Sequence, residues 1–317
     1  MPRAPEPLPA EWSDAPFRVR DAHRRGLGRD RLKARELHAP FNFVRDRAGA
    51  LDPARIAAAF ALRRGPDQVV SHTTALLLWG APLPRRIEQQ TVIHASSIGA
   101  SRPRTRLTIP HLLQPERVGV TTLDDLAITD PATSWVQSAP LLGLDDLVAA
   151  GDFLITGTEP YDRMPPLIRL VDLRAAVDRN VGGRGLRRAR EALELVRYGP
   201  LSRRESYMHL MTLRAGLPPL HLNFDVYHPA TGARVAMIDG AIPEFCTAIE
   251  YESLLHMSPE KFRRDIRKQQ DLASIGWATH RLTSDDVDPQ LRTPASRAAI
   301  TRIRATLLAR GWHPPRE

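Results

Sequence analysis

The sequence predicts an α+β protein with an N-terminal winged helix-turn-helix, a mixed α+β middle region and a C-terminal α/β/α domain. Three observations support this fold class. Capped helical stretches alternate with short apolar runs along most of the chain. Near the N-terminus, two short helical stretches flank a glycine turn and precede an apolar run. The last third has the order helix, three strands, helix, strand. The chain has 317 residues and is 42% hydrophobic, enough for two or three packed domains.

These patterns divide the chain into six consecutive regions. They are a flexible tail at 1–15, a winged helix-turn-helix-like domain at 16–95, an α+β middle domain at 96–183, a linker helix at 184–200, the α/β/α domain at 201–300, and a C-terminal helix and tail at 301–317. Proline and glycine clusters or shifts of periodicity mark these boundaries.

The charge balance favours a polyanionic partner. The net charge is +9 and the sequence pI is near 10.4. Basic side chains bind nucleic acid by releasing its condensed counterions. Genome composition is an alternative explanation for the positive charge, because nearly all of it comes from arginine. The lysines are Lys33, Lys261 and Lys268. Such an arginine bias, with abundant alanine and proline, is typical of a GC-rich genome and raises the pI without selection for DNA binding.

Composition also narrows the cellular setting. The single Cys246 excludes an internal disulfide and cysteine-based zinc sites. No apolar run approaches the roughly 18 residues needed to cross a bilayer, and the proline-rich start lacks the apolar segment of a signal peptide. We therefore expect a cytoplasmic protein with no membrane association.

The N-terminal region carries the predicted DNA-binding element. Residues 17–25 predict a short helix, 29–35 a second helix after a glycine turn, and 41–45 a strand of a wing. The candidates for groove or phosphate contacts are Arg29, Arg31, Lys33 and Arg35. The alternative is a small helical cap with solvated arginines.

The middle of the chain shows structural signals but no catalytic pattern between residues 50 and 180. Asp52 followed by Pro53 predicts a helix start, and Ser71 predicts another. We interpret His72 as a polar residue at that helix start rather than a ligand. The glycines of the loop at 180–186 do not match G-x-G-x-x-G, so a phosphate loop is excluded.

The C-terminal domain contains the strongest functional signal, a group of three acids on two neighbouring apolar runs. Asp239 ends one run, and Glu250 and Glu252 are two positions apart in the next. If that run is a strand, Glu250 and Glu252 point the same way. Three carboxylates together repel one another unless a hard cation such as Mg²⁺ holds them. The sequence thus predicts a metal-dependent phosphodiesterase site.

This region resembles the restriction-endonuclease-like superfamily, and more specifically the very-short-patch-repair-like (DUF559-type) domains. The residues that carry the resemblance are Glu205, Asp239, Glu250-Tyr251-Glu252-Ser253, His256, Arg263-Arg264-Asp265, and Gly276-Trp277 with Arg281. It covers roughly residues 200–288. The N-terminal part is similar to AbiEi-type antitoxin proteins, through the segment at 70–80.

The resemblance implies a role for each matched residue. Asp239 and Glu250 would bind Mg²⁺ (or Mn²⁺), and Glu252 would ligate the metal or orient a water. His256 would act as general base or protonate the leaving 3′-oxygen. Glu205 would bind a metal through water, or simply serve as the third residue of a capping box opened by a serine. The residues that would contact phosphate are Arg263, Arg264 and Arg281.

The chain departs from the family pattern, and two hypotheses follow. Glu252 and Ser253 occupy the positions where the family has Asp and Gly. The motif of the wider superfamily ends in a lysine, and this strand has none. The lysines that come next in the sequence, Lys261 and Lys268, lie on the following predicted helix. The first hypothesis is a Mg²⁺-dependent DNA endonuclease. The second is a non-enzymatic AbiEi-like DNA-binding regulator or antitoxin with a degenerate nuclease domain. DNA is the expected partner in both, with a toxin or repair protein as a further one.

Overall fold

The computed structural model describes residues 7–47, 52–99, 105–252 and 259–314, which form a mixed α+β fold. The chain divides into two compact units. The first unit is Met1–Gly143 with Leu170–Arg190, and the second is Leu144–Arg169 with Glu191–Glu317. Within the described ranges, no helix combines the length and the apolar character that crossing a membrane requires.

The strands of the described residues are short in the first unit and longer in the second. They are β1 (Phe17–Arg18), β2 (Val44–Arg45), β3 (Gln68–Val70), β4 (Ile93–Ile98), β5 (Thr108–Leu113), β6 (Val120–Leu123), β7 (Leu126–Thr129), β8 (His221–Tyr227), β9 (Arg234–Ile242), β10 (Thr247–Tyr251) and β11 (Ala278–Leu282).

The helices follow the same chain order. They are α1 (Val19–Arg24), α2 (Pro53–Ala61), α3 (His72–Leu78), α4 (Arg85–Glu88), α5 (Pro131–Ser138), α6 (Leu144–Thr156), α7 (Glu159–Asp162), α8 (Leu170–Arg179), α9 (Leu186–Leu195), α10 (Arg203–Arg214), α11 (Pro259–Ser274) and α12 (Pro294–Ala309), with short 3-10 helices at Ala10–Trp12, Arg31–Lys33, Pro115–Arg117 and Pro243–Phe245.

Predicted helix starts agree with the structure where a capping side chain was identified. Asp52 accepts a hydrogen bond from the Arg55 amide at the start of α2, with Pro53 at the first position. Ser202 accepts from the Glu205 amide at the start of α10. Helix α12 differs, since it begins at Pro294, ahead of the C-terminal helix predicted from residue 301.

A five-stranded mixed sheet organises the first unit. Its order is β5-β4-β3-β7-β6, with β4 parallel to β5 and antiparallel to β3. Ile93 of β4 and Ile128 of β7 are fully buried against Phe60 of α2. This sheet corrects the predicted boundary at 95/96, which falls inside β4. The strands assigned to separate winged and middle domains share one sheet because their apolar side chains share one core.

The predicted second helix at 29–35 is not formed. The segment makes only the 3-10 helix Arg31–Lys33, and β1 pairs with β2 in a two-stranded antiparallel sheet. Leu32 is buried, but Arg35 and Glu36, three and four positions on, are charged. A second helical turn would therefore have no apolar side chain to bury, and the chain leaves the helical conformation at Ala34.

A four-stranded mixed sheet organises the second unit, with the order β11-β10-β9-β8. Strands β8, β9 and β10 are antiparallel neighbours, whereas β11 runs parallel to β10 after the crossover that includes α11. One core contains Met208 of α10, Ile249 of β10 and Ile303 of α12. A second core contains Ala248 of β10 and Leu272 of α11. Adjacent residues of β10 thus pack into different cores, so both faces of the sheet are covered.

Candidate active site

Asp239 and Glu250 lie at the point where the paired register of β9 and β10 ends. The last registered pair is Ile249 with Gly240, and Glu250 and Asp239 follow one position further on their respective strands. Beyond that pair, the Tyr251 amide donates a hydrogen bond of 2.8 Å to the Asp239 carboxylate. The Asp239 side chain therefore continues the hydrogen bonding between the two strands, and this fixes its position beside Glu250.

Glu250 is a mostly buried carboxylate held by a lysine from α11. Lys268 Nζ lies 2.6 Å from Glu250 Oε1 and 2.7 Å from Oε2. Burial raises the pKa of Glu250 to about 7, Lys268 opposes this, and the charges of Asp239 and Glu252 add to it. Burial, more than repulsion among the acids, therefore favours the protonated form of this carboxyl group.

Glu252, just after β10, is engaged by an arginine. Arg281 of β11 lies 2.6 Å from the Glu252 carboxylate. Glu250 and Glu252 line one small cavity of about 10 Å³ with Lys268 and Arg281, which confirms that both acids face α11. The chain's own cations neutralise the two acids, and little space remains between these side chains.

Glu205 combines a capping role with a position beside the acids. Its carboxylate accepts hydrogen bonds from the Leu201 amide at 2.8 Å and from Asn223 at 3.1 Å, and its own amide donates to Ser202. The serine half of the predicted capping box is confirmed, whereas the Glu205 carboxylate accepts from the amide one residue before the N-cap and not from the Ser202 amide. Burial raises the pKa of Glu205, and the charge of Asp239 contributes in the same direction. Glu205 is therefore electrostatically coupled to Asp239 as well.

The remaining predicted residues of the C-terminal site are placed as follows. His256 lies outside the described residues. Arg263 and Arg264 are exposed on α11. Arg281 is exposed too, but it is engaged by Glu252.

The predicted DNA contacts near the N-terminus are scattered by the loss of their helix. Arg29, Lys33 and Arg35 are exposed, but Arg31 forms a 2.7 Å ion pair with Glu36 and is largely covered. Because the segment is not a continuous helix, these residues do not form one helical face.

A basic groove lies elsewhere in the first unit and was missed in the sequence. It has a volume of about 670 Å³, and of the described residues that line it none is acidic. Its arginines come from β1, α1 and the segment just after α2, and Phe43 projects there with 78% of its surface exposed. The lining includes Arg18, Arg20, His23, Phe43, Arg63 and Arg64. Arginine and an exposed aromatic ring suit a nucleic-acid strand.

Three histidines from three elements of the first unit also come together. Their ligand atoms all lie within 4.8 Å of one another, and within the described ranges no other group of three His, Cys, Asp or Glu side chains meets this condition. The histidines are His72 of α3, His94 of β4 and His111 of β5. We call them the histidine cluster. Asp239, Glu250 and Glu252 do not form a comparable three-residue group.

The rings of the histidine cluster are stacked and mostly buried. The ring centroids of His72 and His111 are 3.7 Å apart, and His94 Nδ1 lies 2.8 Å from His111 Nε2. Burial lowers the pKa of His72 well below its usual value and that of His94 to about 4, and the neighbouring imidazoles add to both effects. The two rings are therefore neutral at physiological pH.

The interpretation of His72 as a simple polar helix-start residue is incomplete. His72 does begin α3, but it is buried, and its backbone has a φ of 56° in the left-handed region. His111 and His94 approach each other because β4 and β5 are parallel neighbours, with Ser96 opposite His111. The separations of 22 and 17 positions match no metal motif, so only the parallel pairing reveals the cluster.

Comparisons of the chain with protein-family models, with curated proteins and with solved structures find no match.

Proposed function

We propose that this protein is a Mg²⁺-dependent DNA endonuclease with its phosphodiesterase site in the second unit. The observation that carries the proposal is the meeting of Asp239 and Glu250 at the end of the β9–β10 ladder, with Lys268 on Glu250. Two carboxylates and a lysine are the residue types that the restriction-endonuclease-like superfamily uses, and the order helix, hairpin, strand, helix, strand agrees with that architecture.

The donor set suits Mg²⁺. This ion is usually held by one or two carboxylates together with waters and substrate phosphate oxygens, not by a full protein cage. Asp239 and Glu250 would provide the two carboxylates, and Glu205 would reach the ion through water. The raised pKa of Glu250 reflects burial and mutual repulsion among acids, which a divalent cation would relieve.

The residues then divide the work of phosphodiester hydrolysis. Bound Mg²⁺ would supply polarisation of the scissile phosphate and a water of lowered pKa. Lys268 would balance negative charge that develops on the phosphate, as preorganised cations do in phosphoryl transfer. Arg263 and Arg264, exposed on α11, would position the DNA backbone.

DNA would be retained by the first unit as well. The basic groove lined by Arg20, Arg63 and Phe43 provides positive charge and an aromatic surface. We assign it the DNA-binding role predicted for the 29–35 segment, with Arg29, Lys33 and Arg35 as supplementary phosphate contacts. Counterion release makes such binding weaker at higher salt.

One observation favours the second candidate, a non-enzymatic AbiEi-like regulator or antitoxin. Arg281 neutralises Glu252 and Lys268 neutralises Glu250, and the cavity between them is about 10 Å³. Acids engaged in this way stabilise a fold without metal. In this case the second unit would be a structural domain, and the protein would bind DNA and a toxin without cutting DNA.

A metal-dependent cleavage assay separates the two candidates. Wild type, Asp239→Asn and Asp225→Asn would be incubated with supercoiled, linear and mismatched DNA and with Mg²⁺, Mn²⁺ or chelator. Asp225 is a matched control, because it is an exposed acid of β8 that pairs with Arg234. If the protein is a nuclease, the wild type nicks DNA only when metal is present. Asp239→Asn loses this cleavage activity and Asp225→Asn keeps it, while all three proteins bind DNA equally. Equal inertness of all three, with DNA binding intact, would instead support the regulator.

A further inference from the structure

We propose that the histidine cluster of the first unit is a binding site for a divalent transition metal ion of the Zn²⁺ class, with three imidazole ligands and one coordination position open to a neighbouring cavity. This site is separate from the acids of the second unit, and it goes beyond the proposed nuclease function.

The ring nitrogens of the three histidines lie close enough together to share one metal ion once His72 turns out of its stack on His111. Tetrahedral zinc with Zn–N distances of about 2.0–2.1 Å requires ligand nitrogens about 3.3 Å apart. His94 Nδ1 and His111 Nε2 are 2.8 Å apart, and the ligand atoms of all three residues lie within 4.8 Å. Opening the His94–His111 contact by about half an ångström and drawing in His72 would complete three bonds.

Metal binding also accounts for an otherwise unfavourable arrangement of polar rings. His72 and His94 are buried, and the nearest ring neighbours of each are the other imidazoles of the cluster. In the His94–His111 contact one ring nitrogen donates a proton and the other accepts it. A metal ion bound to the donating nitrogen would displace its proton, and that proton would move to the other nitrogen of the same ring. Both rings would therefore remain neutral as ligands.

A hydroxyl pair orients the third ligand. Ser71 Oγ lies 2.8 Å from His72 Nδ1 and 2.6 Å from Ser96 Oγ. This contact occupies Nδ1 and leaves His72 Nε2 as the ligand atom. Hydrogen bonding to the second nitrogen is the usual means by which proteins fix the tautomer and the plane of a metal-bound imidazole. The His72 backbone is held in place too, since its amide donates to Gln137.

The open position would face a cavity. His72 and His111 line a cavity of about 300 Å³, and its other polar lining residues include Gln137, Asn180 and Arg184. The loop at 183–185 closely approaches the segment that follows α5, where a Cβ on Gly185 would lie 2.7 Å from the Pro140 nitrogen. Three protein ligands with a fourth position facing polar groups is the pattern of zinc sites that bind water or an exogenous ligand.

The ligand type selects the class of metal. Neutral imidazole suits Zn²⁺, Cu²⁺ and Ni²⁺, whereas Mg²⁺ prefers hard oxygen ligands. The two candidate sites of this chain are therefore expected to discriminate between metals. Zn²⁺ should load the histidine cluster, and Mg²⁺ should leave it empty.

The test is a Zn²⁺ titration of full-length, chelator-stripped protein in competition with a chromophoric chelator. We expect one tight Zn²⁺ per chain, loss of that equivalent in His94→Gln and His111→Asn, and no loss in His228→Gln, a partly exposed histidine outside the cluster. Ser71→Ala should weaken binding by roughly 10–100-fold, the usual effect of removing a hydrogen-bond partner of a metal-bound histidine. Asp239→Asn should bind Zn²⁺ like wild type.

X-ray absorption at the zinc edge of the wild type identifies the metal ligands directly, even if a histidine variant fails to fold. Three imidazole ligands are expected. A wild type that binds no Zn²⁺ against the chelator, a spectrum dominated by carboxylate oxygen, or unchanged binding in folded His94→Gln and His111→Asn would each overturn the proposal. Because Asp239→Asn removes the nuclease site and not this one, failure of either proposal is distinguishable from failure of the other.

Discussion

Lys268 of α11 places its Nζ 2.6 Å from a carboxylate oxygen of Glu250 on β10, although the two are 18 positions apart in the sequence. The helix that follows the strand thus supplies the cation that contacts this acid. The parallel crossover from β10 through α11 to β11 lays the helix over the acids, and this brings the cation to the site. A charge that the strand pattern lacks is restored by tertiary packing.

Lys268→Met should abolish metal-dependent cleavage if the proposed nuclease is correct. Loss of one preorganised charge partner typically costs about 10²–10³ in the rate. The measurement is single-turnover cleavage with saturating Mg²⁺. Arg187→Met, which removes an exposed cation of α9 that has no proposed role in DNA binding, is the matched control. Full activity in Lys268→Met would restrict Lys268 to a structural role.

The stabilising contributions of Glu250 and Asp152 should fall as pH rises from about 4.5 to 7, whereas the buried histidines His72 and His94, whose pKa values are lowered, act in the opposite direction. Glu250 has its pKa raised from 4.5 to about 7, and buried Asp152 from 3.8 to about 7. A carboxyl group whose pKa is raised in the folded state stabilises the fold while it is protonated, and this contribution is lost as pH rises through the folded value. For Glu250 the effect is of the order of a few kcal/mol.

Urea unfolding at about pH 5 and pH 8 tests this sign. Glu250→Gln should be more stable than wild type at the higher pH, with a smaller difference at the lower one, and Asp152→Asn should behave similarly. Added Mg²⁺ should stabilise the wild type more at the higher pH, because it binds the ionised carboxylates. A stability difference between Glu250→Gln and the wild type that is the same at both pH values would contradict the assignment.

Variants of Ser202 and Glu205 should distinguish the helix-capping role of this segment from the role of Glu205 in the candidate active site. Ser202→Ala removes the hydroxyl that accepts the Glu205 amide and should cost about 1 kcal/mol of unfolding free energy, with cleavage unchanged. Glu205→Gln keeps the Oε acceptor for the Leu201 amide but loses the charge that couples to Asp239. Reduced cleavage at near-normal stability is expected for Glu205→Gln. Comparison of chemical denaturation with cleavage rates in both variants checks the separation.

Breaking the ion pair of Asp46 with Arg55 should destabilise the fold more than breaking an exposed pair. Asp46 is fully buried, and Arg55 lies 2.6 Å from it with several nitrogen–oxygen contacts. Arg55→Met would leave a buried carboxylate without this partner, at a cost of about 3–5 kcal/mol. Arg24→Met, which removes an exposed partner of Asp21, should cost under about 1 kcal/mol. Thermal unfolding of the two variants measures the difference.

Local signals in the sequence determined much of the secondary structure. The caps at Asp52 and Ser202 and the three strands before α11 were predictable, because capping and alternation depend on neighbours in the chain. The positions of Asp239 and Glu250 on adjacent strands followed from the same patterns. The helix predicted at 29–35 failed, since its charged residues offered nothing to bury beyond Leu32.

Tertiary structure alone decided which distant side chains meet. It brought Lys268 to Glu250, Arg281 to Glu252, and His111 to His94 across the parallel β4–β5 pair. It also joined β3, β4 and β5 in one sheet, across the domain boundary that the sequence suggested. Strand order and helix crossover depend on how apolar surfaces share a core, and residue spacing along one chain does not record that information.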